Sequence, residues 1–344
     1  MSTSGVKAAR IAFDAGRDAY SGGDLLTASC EFSAALAADP GFVLACCYLG
    51  TIAVQLGRMQ AAIVQFERAC ELDPGQARHH FEAALVCRAA GEPAMALAHC
   101  RKALDLAPDL DTAYQLQAEL ALPGPSYLDV ISRLHAWLQP QTYLEIGVEV
   151  GSSIVLASPL TQVIGIDPAP QVNRPLGDNV RIHAATSDAF FRTTDVIAEF
   201  GGRTVDLAFI DGMHQFEYAL RDFANVERCC SPRSTVLIHD CFPLSRLTAE
   251  RQRQTKFWSG DVWRLVLALR KYRPDLELHV IAAAPTGLCI VRRLDPGSRL
   301  LPDRMDDIVQ EFLAVDYSVL DDDKAGLLCL HPNEWDSIRE LLQD

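Results

Sequence analysis

The pattern of apolar and polar positions changes about a third of the way along the chain. Before that point, small and apolar residues recur at the spacing of amphipathic helices. After it, short apolar runs alternate with helical patterns, which is typical of an α/β domain. The apolar runs predict strands near residues 142–148, 162–167, 181–185, 205–211 and 234–239. The segments between them predict helices near 152–158, 188–200, 214–229 and 261–272.

The apolar runs of the second part contain few polar residues. "TYLEIGV", "QVIGID", "VDLAFID" and "STVLIHD" have the composition expected for strands of a parallel sheet that helices cover on both faces. Two later runs, "LELHVIAA" and "GLCIVRRL", predict an antiparallel hairpin at the sheet edge. We therefore predict a Rossmann-like, doubly wound α/β domain, in which ligands bind at the carboxyl ends of the strands.

The first part of the chain is an internal repeat of 34 residues. Prolines recur at 40, 74 and 108, and glycines at 23, 57 and 91. Gly16 and Gly50 recur with Ala84 in third place, and Phe32 and Phe66 recur with Cys100 in third place. Small residues let two helices approach closely, a glycine turns the chain between them, and a proline ends the second helix. The unit resembles the tetratricopeptide repeat, with three copies over about residues 9–108 and a capping helix at 111–122.

A Pro/Gly break, "ALPGPS" at 121–126, separates the two patterns and predicts a linker. We expect an all-α repeat domain at 1–122, an α/β domain at 126–296 and a helical C-terminal extension at 297–344. The pattern of the extension predicts a helix, a loop and a second helix. This segment would cover the sheet edge or assist dimerisation.

Composition and charge narrow the classes of partner. Of the 344 residues 49% are hydrophobic, which is enough for two separate cores. The net charge of −14 argues against a nucleic-acid partner, because phosphates are bound through basic surfaces. We see no apolar segment of the length of a signal peptide or a membrane span. The eleven cysteines form no CxxC pair and lie in apolar segments, as expected for reduced core residues of a cytoplasmic protein.

The turn after the first predicted strand, "GVEVGSS", begins at Gly147. An NAD-binding fingerprint would need a glycine where Glu149 stands, and a carboxylate would serve a pyrophosphate poorly. Asp167 ends the second strand and can accept hydrogen bonds from ribose hydroxyls. An acid at each strand end without a phosphate cradle favours S-adenosylmethionine and disfavours an NAD-dependent oxidoreductase.

Two later segments indicate the class of S-adenosylmethionine-binding protein more closely. "IDGMHQF", at 210–216, and "STVLIHDCFP", at 234–243, resemble the class I S-adenosylmethionine-dependent methyltransferases. The combination is similar to the branch of small-molecule O-methyltransferases that includes macrocin O-methyltransferase. The resemblance covers about residues 125–295 and leaves out the repeats.

The resemblance implies a cofactor site along the first three strands. The methionine part of the cofactor would be bordered by Glu145, Gly147, Gly151 and Ser152. The ribose hydroxyls would bind Asp167, and the adenine would lie beside Ser187 and Asp188.

The resemblance also implies a reaction centre at the fourth and fifth strands. Asp211 and Asp240 would lie over the transferring methyl and hold magnesium or another divalent cation, and His214 would be a general base. Metal-binding relatives carry two consecutive acids where this chain has His239-Asp240, and imidazole is a poorer magnesium ligand than carboxylate. A softer metal, weakly bound magnesium, and His239 as a base without metal therefore remain open. Structural roles also remain open, Asp211 as a helix cap and His214 as a packing residue.

Trp258 and Trp263 are candidates for stacking on a ring-shaped acceptor or for anchoring a helix on the sheet. We predict a methyltransferase that acts on a hydroxyl of a sugar or secondary metabolite. Its repeats would bind a protein partner or a second copy of the chain. The alternative is a repeat interaction protein that carries an inactive or regulatory S-adenosylmethionine-binding domain.

Overall fold

The computed structural model describes residues 3–343, which divide into two compact units between Leu120 and Ala121. The helices are α1 (Thr3–Ser21), α2 (Leu25–Ala38), α3 (Val43–Gln55), α4 (Met59–Leu72), α5 (Ala77–Ala89), α6 (Pro93–Leu106), α7 (Asp111–Ala121), α8 (Tyr127–Leu138), α9 (Ser187–Thr193), α10 (Val196–Glu199), α11 (Phe216–Glu227), α12 (Trp263–Tyr272), α13 (Leu300–Asp303), α14 (Met305–Leu313), α15 (Lys324–Leu327) and α16 (Trp335–Leu341). The strands are β1 (Thr142–Ile146), β2 (Gln162–Asp167), β3 (Val180–Ala184), β4 (Val205–Ile210), β5 (Cys230–His239), β6 (Glu277–Ile281), β7 (Leu288–Arg292) and β8 (Leu330–His331).

In the first unit, helices pack as the consecutive pairs α1–α2, α3–α4 and α5–α6, with α7 after them. The loop inside each pair contains a glycine with positive φ, 82° at Gly23, 69° at Gly57 and 78° at Gly91. The predicted all-α repeat fold is confirmed, and the 34-residue spacing reflects one helix pair per unit.

Within the helix pairs of the first two repeats, a glycine on the first helix packs against a phenylalanine ring on the second. A Cβ at Gly16 would lie 2.9 Å from the Phe32 ring, and one at Gly50 would lie 2.7 Å from the Phe66 ring. In the third repeat, fully buried Ala84 and Cys100 occupy these two positions. Cys100 is smaller than phenylalanine and so leaves room for the Ala84 methyl group. The packed volume of the pair stays similar, as close-packed interiors require.

Replacing Gly50 by alanine is therefore expected to destabilise the first unit. The added methyl must displace the Phe66 ring, and overpacking costs about 1–3 kcal/mol, while the gain in helix propensity returns up to about 1 kcal/mol. We expect a net loss of about 1 kcal/mol in the free energy of unfolding, measured by far-UV circular dichroism in urea. Gly75→Ala is the control, because its Cβ would meet nothing within 4 Å. Equal stability of the two variants would contradict the packing argument.

The second unit is built around one eight-stranded sheet with the order β3-β2-β1-β4-β5-β7-β6-β8. Strands β1 to β5 are parallel, and β7 is antiparallel to both β5 and β6. Buried apolar side chains form a core on each face of the sheet. Helix α8 begins at a capping box, in which Ser126 and Asp129 bond reciprocally, and it packs on one face. The predicted doubly wound α/β fold is confirmed.

Several element predictions differ from the structure. Residues 152–158 form only a 3-10 turn, Ile154–Leu156, because the Ser153 hydroxyl bonds inward to Glu145 and Pro159 disfavours further helix. The helix expected at 188–200 is broken, because Asp195 caps the start of a second helix. The predicted hairpin lies next to the sheet edge, where β8, from the C-terminal extension, pairs in parallel with β6.

Among residues 3–343 we find no helix with the length and hydropathy needed to cross a bilayer.

Candidate active site

The turn after β1 brings the ends of β1 and β4 together. Gly147 has φ of 90°, and a Cβ at this position would overlap the backbone carbonyl oxygen of Asp211. The Gly147 amide bonds the Ile166 carbonyl at 2.9 Å, and the Asp211 amide bonds the Ile146 carbonyl at 2.8 Å. A residue without a side chain is therefore what allows Asp211 to lie directly against this turn.

The same turn fixes the carboxylate of Asp167 at the end of β2. The Glu149 amide donates to one carboxylate oxygen at 2.9 Å, and the Ala169 amide donates to the other at 2.7 Å. Glu149 has a left-handed backbone with φ of 46°, a conformation that usually selects glycine. Both carboxylate oxygens of Asp167 are thus oriented by backbone, and the residue lines a cavity.

Glu145 lies beneath this turn and is fully buried. Its carboxylate accepts hydrogen bonds from Tyr143 at 2.6 Å and Ser153 at 2.7 Å. Burial raises its pKa to about 8, against the hydrogen bonds from Tyr143 and Ser153, which lower it. Glu145, Gly151 and Ser152, three of the predicted cofactor residues, do not line the cavity, whereas Gly147 and Asp167 do.

The third strand contributes the far end of the cavity. Ser187 and Asp188, the residues expected beside an adenine, begin α9, and both line the cavity. Arg221 of α11 donates to both oxygens of Asp188 at 3.1 Å, so this carboxylate is paired.

Sequence reasoning missed Asp222, which lines the same region and is 2% exposed. Burial raises its pKa to about 7, against a hydrogen bond from Ser187. An acid between the buried residues Leu220 and Phe223 of an amphipathic helix is the signal that could have revealed it.

Four titratable side chains meet at the ends of β4 and β5. His214 Nδ1 lies 2.5 Å from an oxygen of Asp240, and His214 Nε2 lies 4.0 Å from Asp211. His239 Nδ1 lies 3.2 Å from Asp211. The Thr286 hydroxyl donates to Asp240 at 2.7 Å and lies 3.3 Å from His239 Nε2. The structure thus brings together Asp211, His214, His239 and Asp240, the residues predicted for the reaction centre.

The charges of this cluster are mutually dependent. Burial lowers the pKa of His214, but the carboxylates of Asp240 and then Asp211 raise it more, to about 9. The pKa of His239 is also raised, because Asp211 and Asp240 outweigh its burial. Burial raises the pKa of Asp240, but the two imidazoles lower it more, so that the net direction is downward. In the free protein the cluster is therefore a set of ion pairs at neutral pH.

Aromatic side chains hold the two imidazoles in place. The Trp258 ring stacks on His214 at 5.3 Å, and its Nε1 donates to the Glu250 carbonyl at 2.6 Å. The Tyr127 ring stacks on His239 at 4.1 Å. Trp258 lines the cavity, whereas Trp263 is fully buried, so only the former can reach a ligand.

These groups share one cavity of about 820 Å³ at the carboxyl edge of the sheet. Asp167, Ser187 and Asp188 lie at the ends of β2 and β3, and Asp211, His239 and Asp240 lie at the ends of β4 and β5. One donor atom from each of Asp211, His214 and Asp240 lies within 4.8 Å of the other two. His239 is not one of these three, although its Nδ1 lies 3.2 Å from Asp211 and 3.7 Å from Asp240.

The matches to known protein families fall separately on the two units of the chain. Residues 144–241 match the model of a methyltransferase domain family, and residues 13–77 and 49–111 match that of a tetratricopeptide repeat. No curated protein matches the chain.

Solved structures with similarity to the chain include repeat domains. The TPR domain of Arabidopsis OM64 is 20% identical, with a TM-score of 0.32, over 34% of this chain and 96% of its own. The N-terminal domain of stress-induced protein-1 from C. elegans is 17% identical, with a TM-score of 0.33, over 35% of this chain and 98% of its own. By the two family-model matches, the chain contains tetratricopeptide repeats followed by a methyltransferase domain.

Proposed function

We propose that the protein is an S-adenosylmethionine-dependent methyltransferase that acts on a hydroxyl of a sugar or secondary metabolite. The observation that carries the proposal is the single cavity that joins Asp167 to the cluster of Asp211, His214 and Asp240. The cavity lies where ligands bind in open α/β sheets. Positive φ at Glu149, His214 and Asp240 adds support, because strained backbone concentrates at functional sites.

The residues present fit the cofactor. Asp167, with both oxygens oriented by backbone amides, would accept the ribose hydroxyls. Ser187 and Asp188 would border the adenine, and the turn at Gly147 would border the methionine part. When bound, the cofactor supplies an electrophilic methyl group on a sulfonium. Much of the work of the protein is then to orient the acceptor oxygen.

His214 is the proposed proton acceptor. Its Nδ1 faces Asp240, so Nε2 is the nitrogen able to take the proton that leaves the acceptor hydroxyl. Because the pKa of His214 is raised to about 9, the imidazole accepts a proton only after losing its own, and the reaction would speed up with rising pH. His239 is buried against Asp211 and acts as a positioning residue.

As an alternative to His214 acting as a base, the cluster fits a divalent cation. Two carboxylates and one imidazole from Asp211, Asp240 and His214 suit manganese, iron or zinc better than magnesium. Such a cation would polarise the acceptor oxygen and lower its pKa.

The acceptor end of the cavity is partly aromatic. Phe257 and Trp258 line it, with Arg253 beside them. An aromatic face with polar groups at its edge is suited to the apolar face of a ring-shaped acceptor such as a sugar.

For the repeats we propose binding of a protein partner or self-association. Stacked helical repeats present an extended surface to a partner, which supports an interaction role for this unit. The alternative of an interaction protein with an inactive domain has less support, because His214, Asp211 and Asp240 are all present and in contact range.

Calorimetric titration with S-adenosylmethionine, S-adenosylhomocysteine and NAD tests the proposal. We expect the first two to bind and Asp167→Asn to weaken both by about 10- to 100-fold, because hydrogen bonds to a charged acceptor contribute about 1.5–3 kcal/mol. Asp178→Asn is the control, an exposed acid outside the cavity wall that should leave binding unchanged. Absence of binding by the wild type would refute the proposed function and favour the interaction-protein alternative.

A further inference from the structure

A second cluster of metal-ligating side chains lies in the repeat unit, apart from the candidate active site. It consists of Cys70 on α4, His80 on α5 and His99 on α6. One donor atom from each residue lies within 4.8 Å of the other two.

The distances within the cluster suit a tetrahedral ion. Nδ1 of His80 lies 3.3 Å from Nδ1 of His99. Two nitrogens that bind one tetrahedral zinc ion at about 2.0–2.1 Å are themselves about 3.3 Å apart. Cys70 is 7% exposed and His80 is 8% exposed, whereas His99 is only partly buried and borders solvent. The cluster therefore lies just below the surface, where an ion can enter.

Burial favours the neutral, metal-binding form of both imidazoles. Burial lowers the pKa of His80, partly offset by the Pro74 carbonyl, and burial also lowers the pKa of His99. Nε2 of His80 is buried and makes no well-aligned hydrogen bond within the described part of the chain. Burial raises the pKa of the Cys70 thiol to about 11, so a zinc ion would have to displace its proton on binding. Imidazole and thiolate are ligands that zinc prefers.

The neighbouring histidine has a different environment. Nδ1 of His79 lies 3.7 Å from the Cys47 sulfur, and its Nε2 lies 3.8 Å from Asp73. Adjacent residues on a helix point in different directions, so His79 and His80 do not form a pair. The geometry singles out His80, His99 and Cys70.

We propose that Cys70, His80 and His99 bind one zinc ion. Three protein ligands leave a fourth position, and Glu67 lies one helical turn before Cys70 on the same helix. Glu67 or a water molecule would complete the coordination. The ion would connect α4 of the second repeat to both helices of the third and so fix the packing of these two repeats.

Cobalt substitution tests this proposal in the full-length chain. After dialysis against a chelator, we expect one equivalent of Co²⁺ to bind with a thiolate-to-cobalt charge-transfer band and with the visible absorption of tetrahedral cobalt. Zinc should displace it. Cys70→Ser should abolish the charge-transfer band, and His99→Asn should weaken cobalt binding by at least tenfold. Circular dichroism of each variant checks that the repeats remain folded.

Two further variants locate the ion. Cys87→Ser, a buried cysteine of α5 outside the cluster, should keep the charge-transfer band. Asp211→Asn should also keep it, because the cluster in the second unit contains no cysteine. A wild-type chain without the band, a band that persists in Cys70→Ser, or cobalt binding lost only in Asp211→Asn would each overturn the proposal.

Discussion

Replacing Gly147 by alanine is expected to destabilise the second unit by about 2–5 kcal/mol, because a residue with positive φ pays about 1–2 kcal/mol and overpacking adds about 1–3 kcal/mol. The new Cβ would overlap the backbone carbonyl oxygen of Asp211, and backbone cannot rotate away as a side chain can. Relief requires β1 and β4 to move apart at the carboxyl edge of the sheet. We therefore also expect binding of S-adenosylmethionine to be lost.

Tryptophan fluorescence in urea measures this effect, because all four tryptophans lie after residue 120 and report on the second unit. Gly201→Ala is the matched control. Gly201 has φ of 67°, but its Cβ would meet nothing within 4 Å, so this variant carries only the conformational cost. If the two variants were equally stable, the close approach of Gly147 to Asp211 would not be a constraint.

Replacing Asp240 by asparagine is expected to lower the pKa of His214 by at least two pH units, about 2.7 kcal/mol of lost electrostatic stabilisation. Asparagine can keep the hydrogen bond from Thr286 and tolerates the left-handed backbone at this position, φ 62°. The substitution therefore removes mainly the charge. Burial, already the largest single influence on the pKa of His214, would then be opposed mainly by the carboxylate of Asp211.

The ion pair also makes stability depend on pH. The folded-state pKa of His214, about 9, lies above its ordinary value of 6.5, so its stabilising contribution is complete below 6.5 and is lost as pH rises through 9. In chelator-treated protein we expect the wild type to lose on the order of 3 kcal/mol over this range, and Asp240→Asn to lose much less.

NMR titration of labelled histidines measures the pKa directly, and the resonance absent from His214→Gln identifies the residue. Glu149→Gln is the control, because Glu149 lines the same cavity but forms no ion pair with His214. A pKa that stays near 9 in Asp240→Asn would show that another group sets it.

Much of the fold could be predicted because its signals are local. The interval between Pro40, Pro74 and Pro108 measures one helix pair, and a helix pair is the unit that stacks. The apolar runs that predict β1, β2, β4 and β5 reflect burial on both faces of a parallel sheet. The prediction of a helix at 152–158 was wrong, because the Ser153 hydroxyl bonds to Glu145 of β1, a residue outside the predicted helix.

In the candidate site, too, the positions of the acids could be predicted, whereas their pairing could not. Strand ends are visible in the sequence, so Asp167, Asp211 and Asp240 could be expected at one edge of the sheet. Which groups pair there could not be expected, because pairing depends on distances across strands. His214 pairs with Asp240, whereas His239 turns toward Asp211 and Thr286.

The sequence by itself determined the repeat length, the order of strands β1 to β7, and the acids at the strand ends, since each depends on residues close together in the chain. Only the tertiary structure decided that Glu145 lies beneath the cavity, that Asp222 borders it, and that Cys70 meets His80 and His99. These placements bring together residues from separate elements. They follow from how helices and strands pack, which periodicity along the chain does not encode.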